Sequence, residues 1–201
     1  MRIAPLRFED RDRVCELLKA TGSFSSEEIG VALELFDLCH PEGAQRDPCH
    51  PERAQRDLCH PERAQRVEGS APDFARLADE DYELVGAYDD GDTLLGYACF
   101  GPTPSTTGTY DLYWLAVHPA AQGRGAGRTL VRWVEHELAL RGGRLLVAET
   151  SSRADYAQAR AFYACAGYVE AARVRDFYAP ADDRIILTTR LTTREGGVAT
   201  R

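Results

Sequence analysis

Gly123, Gly125 and Gly127 alternate with Arg124 and Ala126 and run directly into Arg128. Glycine lets the backbone approach a bulky anion with no Cβ in the way. Leu130, Val131, Val134 and Leu138 follow at helical spacing, so the run opens a helix. The first turn of that helix carries unpaired N–H groups and the positive end of the dipole, which suits phosphate. Two carboxylates bracket the run: Asp111 before it and Glu149 after it, each in a stretch of strand character. Carboxylates so placed can accept a proton, hold an ammonium group or pair with an arginine.

Three phosphate loops resemble this pattern. A P-loop ends in Gly-Lys-Ser/Thr; here Gly127-Arg128-Thr129 imitates that end, but Gln122 stands where the first glycine belongs and the lysine is missing. A dinucleotide-binding loop needs G-x-G-x-x-G close behind its strand; here the glycines alternate and His118–Gln122 intervenes. The third pattern is Q-x-x-G-x-G, carried by Gln122-Gly123-Arg124-Gly125-Ala126-Gly127. It resembles the acetyl-CoA pyrophosphate loop of the GNAT superfamily of N-acetyltransferases, as does Val117-His118-Pro119 before it. Further on, Phe162-Tyr163-Ala164-Cys165-Ala166-Gly167-Tyr168 resembles the FYxxxGF/Y segment of the same family.

The resemblance implies transfer of an acetyl group from acetyl-CoA, the cosubstrate, to a primary amine by direct attack in a ternary complex. Such a reaction needs a base for the amine, donors for the developing oxyanion and an acid for the leaving thiolate. Tyr163 is the implied acid, since a phenol near pKa 10 suits a departing alkyl thiolate. Asp111 stands where many members have a glutamate base, and Glu149, at the end of the next strand, is its rival. Strict alternation groups Asp111 with Tyr113, Leu115 and Val117, and Tyr110 with Leu112, Trp114 and Ala116. His118 fits loop support better than catalysis. Coenzyme contacts are implied for the backbone at Leu115, Ala116 and Val117 and for Gln122, Gly123, Arg124, Gly125, Ala126, Gly127 and Arg128. No metal is implied. Tyr156 replaces the asparagine that often bonds the pantetheine, so Ser151 or Ser152 is the expected substitute. Trp114, Tyr113 and Phe177 are expected to line the acceptor pocket. A different class, a non-catalytic acyl-CoA-binding regulatory or scaffold protein, would keep the loop without turnover.

A chain of 201 residues suits one domain with a real core. Net charge −8 and a pI near 5.2 carry no broad footprint for nucleic acid and favour a cationic amine, small or peptidic, as acceptor. No apolar run approaches the roughly 18 residues of a membrane span, and MRIAPLRFED does not read as a signal peptide. The expected setting is cytoplasmic, away from membranes. A homodimer is compatible with all of this and demanded by none of it.

The elements that must position these groups follow from periodicity. Arg2–Arg7 reads as a strand, Asp10–Ala20 as a helix stopped by Gly22, and Ser25 to Glu28 as a capping box that opens a helix to Leu38. Strands are expected at Tyr82–Tyr88, Thr93–Phe100, Tyr110–Val117 and Leu145–Glu149, with Asp89–Asp92 a hairpin turn. Helices are expected at Gly125–Leu140 and Asp155–Cys165, with a closing hairpin of Val169–Tyr178 and Arg184–Leu191 and a short helical turn at Asp73–Ala78. The order βαα, ββ, βαβα, ββ gives an α+β fold, a mixed central sheet flanked by helices, and it is the element order of the GNAT fold. Residues 38–69 interrupt the 1–191 domain with near copies of C-H-P-E-R-A-Q-R at a period of ten, begun by Cys39, Cys49 and Cys59; 192–201 is a polar tail. The repeat has too few large apolar residues to offset chain entropy, so it reads as a disordered insert. Its Cys-His pairs are potential zinc ligands, but adjacent Cys and His point apart in an extended chain, and the spacing is not that of the usual sites. Excising Cys39–Arg66 is therefore expected to leave folding and the melting temperature nearly unchanged, as thermal denaturation of the shortened chain would show.

Overall fold

The computed structural model describes residues 1–40 and 82–192. Strand β1 is Arg2–Pro5; helices α1 (Arg11–Thr21) and α2 (Ser26–Leu38) follow. The chain resumes with β2 (Glu83–Tyr88), β3 (Leu94–Pro102) and β4 (Thr109–Val117). Then come α3 (Ala126–Leu140), β5 (Leu145–Ser151), α4 (Ala157–Ala166), β6 (Val169–Ala179) and β7 (Asp182–Arg190). The expected helical turn at Asp73–Ala78 and the repeat from Pro41 onward lie outside the described residues.

The seven strands form one sheet in the order β1-β2-β3-β4-β5-β7-β6. Every neighbouring pair is antiparallel except β4 and β5, which are parallel. A parallel pair needs a crossover, and α3 supplies it. Each face of the sheet buries its own cluster. One holds Phe100, Leu112, Leu130, Val134, Leu138, Leu146, Tyr163 and Ile185, beneath α3 and α4. The other holds Val14, Leu17, Leu18, Phe36, Tyr88, Tyr97 and Cys99, beneath α1 and α2. The capping box at α2 is complete: Ser25 N–H donates to Glu28 Oε2 at 2.7 Å, and Glu28 N–H to Ser25 Oγ at 3.2 Å.

Four local features depart from the sequence reading. β4 carries a bulge: Cys99 faces Trp114 and Phe100 faces Leu112, so Tyr113 is the extra residue. The bulge reverses the parity of the strand. Tyr110, Leu112 and Leu115 join the cluster beneath α3, while Tyr113, Trp114 and Ala116 join the one beneath α1 and α2. Strict alternation, which grouped Leu115 with Asp111, fails at this point. β5 runs two residues further than Glu149, and β6 and β7 close through a much tighter turn than expected. Finally, Cys39 and His40 belong to the packed domain. Cys39 Sγ reaches Tyr82 O at 3.6 Å; His40 stacks on Phe36 and its ring nitrogens meet Phe36 O and Leu6 O at 2.8 and 3.0 Å. An excision that spares these contacts begins after His40.

Asp10 anchors the corner where β1 turns into α1. It is fully buried, and its carboxylate accepts from Arg7 N–H (3.0 Å), Tyr88 Oη–H (2.7 Å) and Arg13 Nη1–H (2.9 Å). Burial pushes this carboxyl up, but the hydrogen bonds outweigh burial and hold it below the ordinary range. A depressed folded-state pKa stabilises above the unfolded value, and that stability is lost as pH falls through the folded value. Asp10→Asn is expected to cost about 2–4 kcal/mol at pH 7. The gap from wild type should narrow in urea melts run below about pH 4, where the unfolded carboxyl is protonated.

Candidate active site

The candidate site lies where β4 and β5 part. The two strands pair from Thr109–Leu112 to Leu145–Ala148 and no further. Beyond that point β4 remains bonded only to β3, and β5 only to β7. His118 N–H donates to Leu95 O at 2.8 Å. Counting back by two along the strand, Ala116 also donates towards β3, which turns the N–H groups of Leu115 and Val117 into the open wedge. Backbone donors left unpaired in this way await a ligand or water.

Two cavities meet in the wedge. The first, of about 510 Å³, is lined by Leu115, Ala116, Val117, Gln122, Gly123, Gly125, Ala126, Gly127 and Arg128, and by Phe162 and Tyr163 of α4. Of the residues expected to contact the coenzyme, only Arg124 is absent from its wall; its guanidinium turns back to Ala120 O at 3.5 Å. The start of α3 has the features that suit an anion. Gly123 and Gly125 have φ of +70° and +91°, a conformation that costs a side chain dearly, and nothing lies within 4 Å of where their Cβ atoms would sit. No side chain caps the helix, so its first-turn N–H groups stay available beside Arg128. Gly127 is needed for another reason: a Cβ there would lie 3.2 Å from Val117 and 3.3 Å from Phe162. Gln122 braces the loop, donating to Val117 O at 3.2 Å and accepting from Gln158 at 3.1 Å. His118 supports it as well, with Nδ1 accepting from Ala120 N–H at 3.2 Å.

The second cavity, of about 750 Å³, is acidic and aromatic. Asp111, Glu149, Tyr113, Trp114, Tyr178 and Arg184 line it, together with Glu28 of α2. Thr103 Oγ1–H donates to Asp111 Oδ2 at 2.7 Å, and Arg184 pairs with Glu149. Burial raises the pKa of Asp111; the Thr103 hydrogen bond opposes this, and the negative charge of Glu149 adds to it. Leu115 and Tyr163 line both cavities. Tyr163 is buried between Phe162 and Tyr168, with ring centroids 5.3 and 5.1 Å away, and burial pushes its phenol pKa up.

Tyr163, Asp111 and Glu149 are therefore brought to one place, on two faces of the sheet that communicate through the wedge. Other expectations need correction. Phe177 is absent from the acceptor cavity; it sits half-exposed 4.8 Å from the Arg184 guanidinium, and Tyr178 takes its place. Ser151 and Ser152 are already engaged, Ser151 Oγ with Asp182 and Ser152 Oγ with Asp183 N–H at 2.8 Å, where they tie β5 to the start of β7. Tyr156 Oη–H reaches Ser23 O at 3.3 Å and so clamps the loop between α1 and α2 over the wedge. Thr103, Thr150, Tyr178 and Arg184 escaped the sequence reading. Arg184 reaches the site only through the register that sets it opposite Ser151, which no local pattern announces. Among the described residues, no group of three or more His, Cys, Asp or Glu side chains is arranged to hold a metal, and no helix is long and apolar enough to cross a membrane.

Comparison with known proteins gives the same picture. The acetyltransferase (GNAT) family profile matches residues 41–168. A GNAT-family protein from Desulfovibrio desulfuricans has a crystal structure that is 36% identical, covers 95% of this chain and 99% of its own, and superposes with a TM-score of 0.72. An aminoglycoside 6'-N-acetyltransferase complexed with coenzyme A shares the fold at 16% identity, 96% and 99% coverage and a TM-score of 0.62. The ribosomal-protein-S18-alanine N-acetyltransferase of Escherichia coli shares it at 21% identity, 99% coverage of both chains and a TM-score of 0.56. No curated protein matches significantly in sequence. With a parted β4–β5 pair, an uncapped glycine loop at α3 and a profile match across the centre of the chain, this protein belongs to the GNAT family of acetyltransferases, acyltransferases that use acetyl-CoA.

Proposed function

We propose that the protein transfers the acetyl group of acetyl-CoA to a primary amine by direct attack, with both substrates bound in the wedge at once. The observation that carries this reading is the position of Tyr163. It lines the anion-binding cavity and the acidic cavity together, so an acid stands between the two. The residues present fit the coenzyme: open glycine positions, an uncapped helix start and Arg128 suit a pyrophosphate, and the free edge of β4 suits an extended pantetheine arm. When bound, acetyl-CoA supplies the activated acyl carbon.

Each remaining task falls to a group of this chain. The carboxylates and the aromatic walls attract a protonated amine. Asp111 takes the proton from the attacking nitrogen. It is the better base of the two carboxylates, because burial raises its pKa whereas Glu149 is already paired with Arg184. The Leu115 and Val117 N–H groups, turned into the wedge, stabilise the charge that develops on the carbonyl oxygen. Tyr163 returns a proton to the departing thiolate. The relatives in fold include proteins named for the N-acetylation of an aminoglycoside and of a ribosomal-protein alanine. A non-catalytic scaffold would have no use for Asp111 and Tyr163 gathered about one wedge.

Thiol release measured over a panel of small amines and N-terminal peptides tests the reading. With an active acceptor, Tyr163→Phe should lower kcat by about 10²-fold or more and leave acetyl-CoA affinity nearly unchanged. Asp111 works only when ionised, so kcat/KM should fall as pH drops through its raised pKa. That acid limb should lie above the ordinary aspartate range near 3.9 and vanish in Asp111→Asn. Gly125→Glu, which combines a strained φ of +91° with a carboxylate in the phosphate cradle, should abolish the calorimetric signal for CoA. Normal binding by that variant would contradict the assignment of the loop.

A further inference from the structure

β5 and the residue after it carry four polar side chains into the region where β5 leaves β4, and three of them are engaged. Glu149 pairs with Arg184, Ser151 Oγ with Asp182 and Ser152 Oγ with Asp183 N–H. Thr150 is different. It is 6% exposed, its Oγ1 has no hydrogen-bond partner among the described residues, and it lines the acidic cavity together with Tyr163 and Leu115. Buried hydroxyls are nearly always satisfied, and one that is not calls for an explanation. The strand period supplies the direction. Leu146 and Ala148 face the cluster that contains Tyr163, and Thr150 follows them two residues on. Its backbone is held from the far side by pairing with Ile185 of β7.

We propose that the Thr150 hydroxyl donates a hydrogen bond to the acyl carbonyl of the donor thioester, and so holds the acyl carbon between Asp111 and Tyr163. The inference rests on the acetyl-CoA reading above. It gives the free hydroxyl an acceptor that is present only when the donor is bound. It also accounts for a buried threonine with an unpartnered hydroxyl beside the wedge. A threonine hydroxyl is an adequate donor for a neutral carbonyl, and a single bond of this kind is worth about fivefold in affinity.

The test compares wild type, Thr150→Val and Thr150→Ser as full chains. Each is titrated calorimetrically with acetyl-CoA, CoA and adenosine 3',5'-bisphosphate, and melted without ligand. Valine keeps the shape and removes the hydroxyl. Thr150→Val is expected to melt at or above the wild-type temperature, because it deletes an unsatisfied polar group. It should bind acetyl-CoA about fivefold more weakly while binding CoA and the bisphosphate as wild type does, and Thr150→Ser should restore acetyl-CoA affinity. Unchanged acetyl-CoA affinity in Thr150→Val overturns the proposal. So does equal weakening of acetyl-CoA and CoA, which would put the hydroxyl on the pantetheine, or a clear fall in melting temperature, which would make it structural. If wild type itself fails to bind acetyl-CoA, the broader functional reading fails instead.

Discussion

The rest of the molecule depends on a hydrogen-bond ladder that stops early. β4 and β5 are the parallel pair in the sheet, and their pairing ends at Leu112 and Ala148 although both strands continue. An unpaired buried backbone group costs about as much as a lost hydrogen bond, so the opening must be held by other means. On one side the bulge at Tyr113 bends β4 while β3 keeps it in register. On the other, β5 is fastened to β7 through Ser151, and Ser152 and Asp183 repeat the tie. The helices close the two faces. Tyr156, just before α4, adds a clamp to the loop at Ser23. The wedge is thus enforced from several directions, and its free donors are a standing demand for a ligand with an extended, polar backbone.

Charge is laid out along the same wedge. The start of α3 and Arg128 make one end positive. At the other end Asp111, Glu149, Glu28 and Asp182 outweigh Arg153 and Arg184, the latter paired with Glu149. A polyanionic donor and a cationic acceptor would sort themselves to opposite ends without further guidance. Tyr163 and Leu115 lie at the junction. The proximity of Glu149 helps keep Asp111 basic, so a carboxylate paired with Arg184 still shapes the chemistry of its neighbour.

Much of this was legible in the chain because it is local. The Ser25–Glu28 box, the stops at Gly22 and Gly167, the glycine loop and the Phe162–Tyr168 segment each lie within a few residues and declare their backbone conformation. Tyr163 could be proposed from a short motif, Asp111 from its place on the strand before the loop and Glu149 from a strand end, and the structure lines one cavity with all three. What escaped depends on register. The bulge at Tyr113 overturned a face assignment made by alternation, since one extra residue reverses every side chain beyond it. Arg184 and Tyr178 reach the cavity from distant strands, Thr103 bonds Asp111 from the loop before β4, and Phe177 misses the cavity by one position. His40 belongs to the first copy of the polar repeat, yet it packs on Phe36, because the end of α2 fixes its position.

Amide hydrogen exchange resolved to single residues of β4 tests the central claim most directly, because it reads the wedge-facing donors themselves. Without ligand, the Leu115 and Val117 amides should exchange faster than that of Ala116, which is bonded to β3. Saturating acetyl-CoA should slow Leu115 and Val117 strongly and leave Ala116 nearly unchanged. Acetyl-CoA that binds without protecting Leu115 and Val117 would show that the coenzyme lies elsewhere, and would contradict the account.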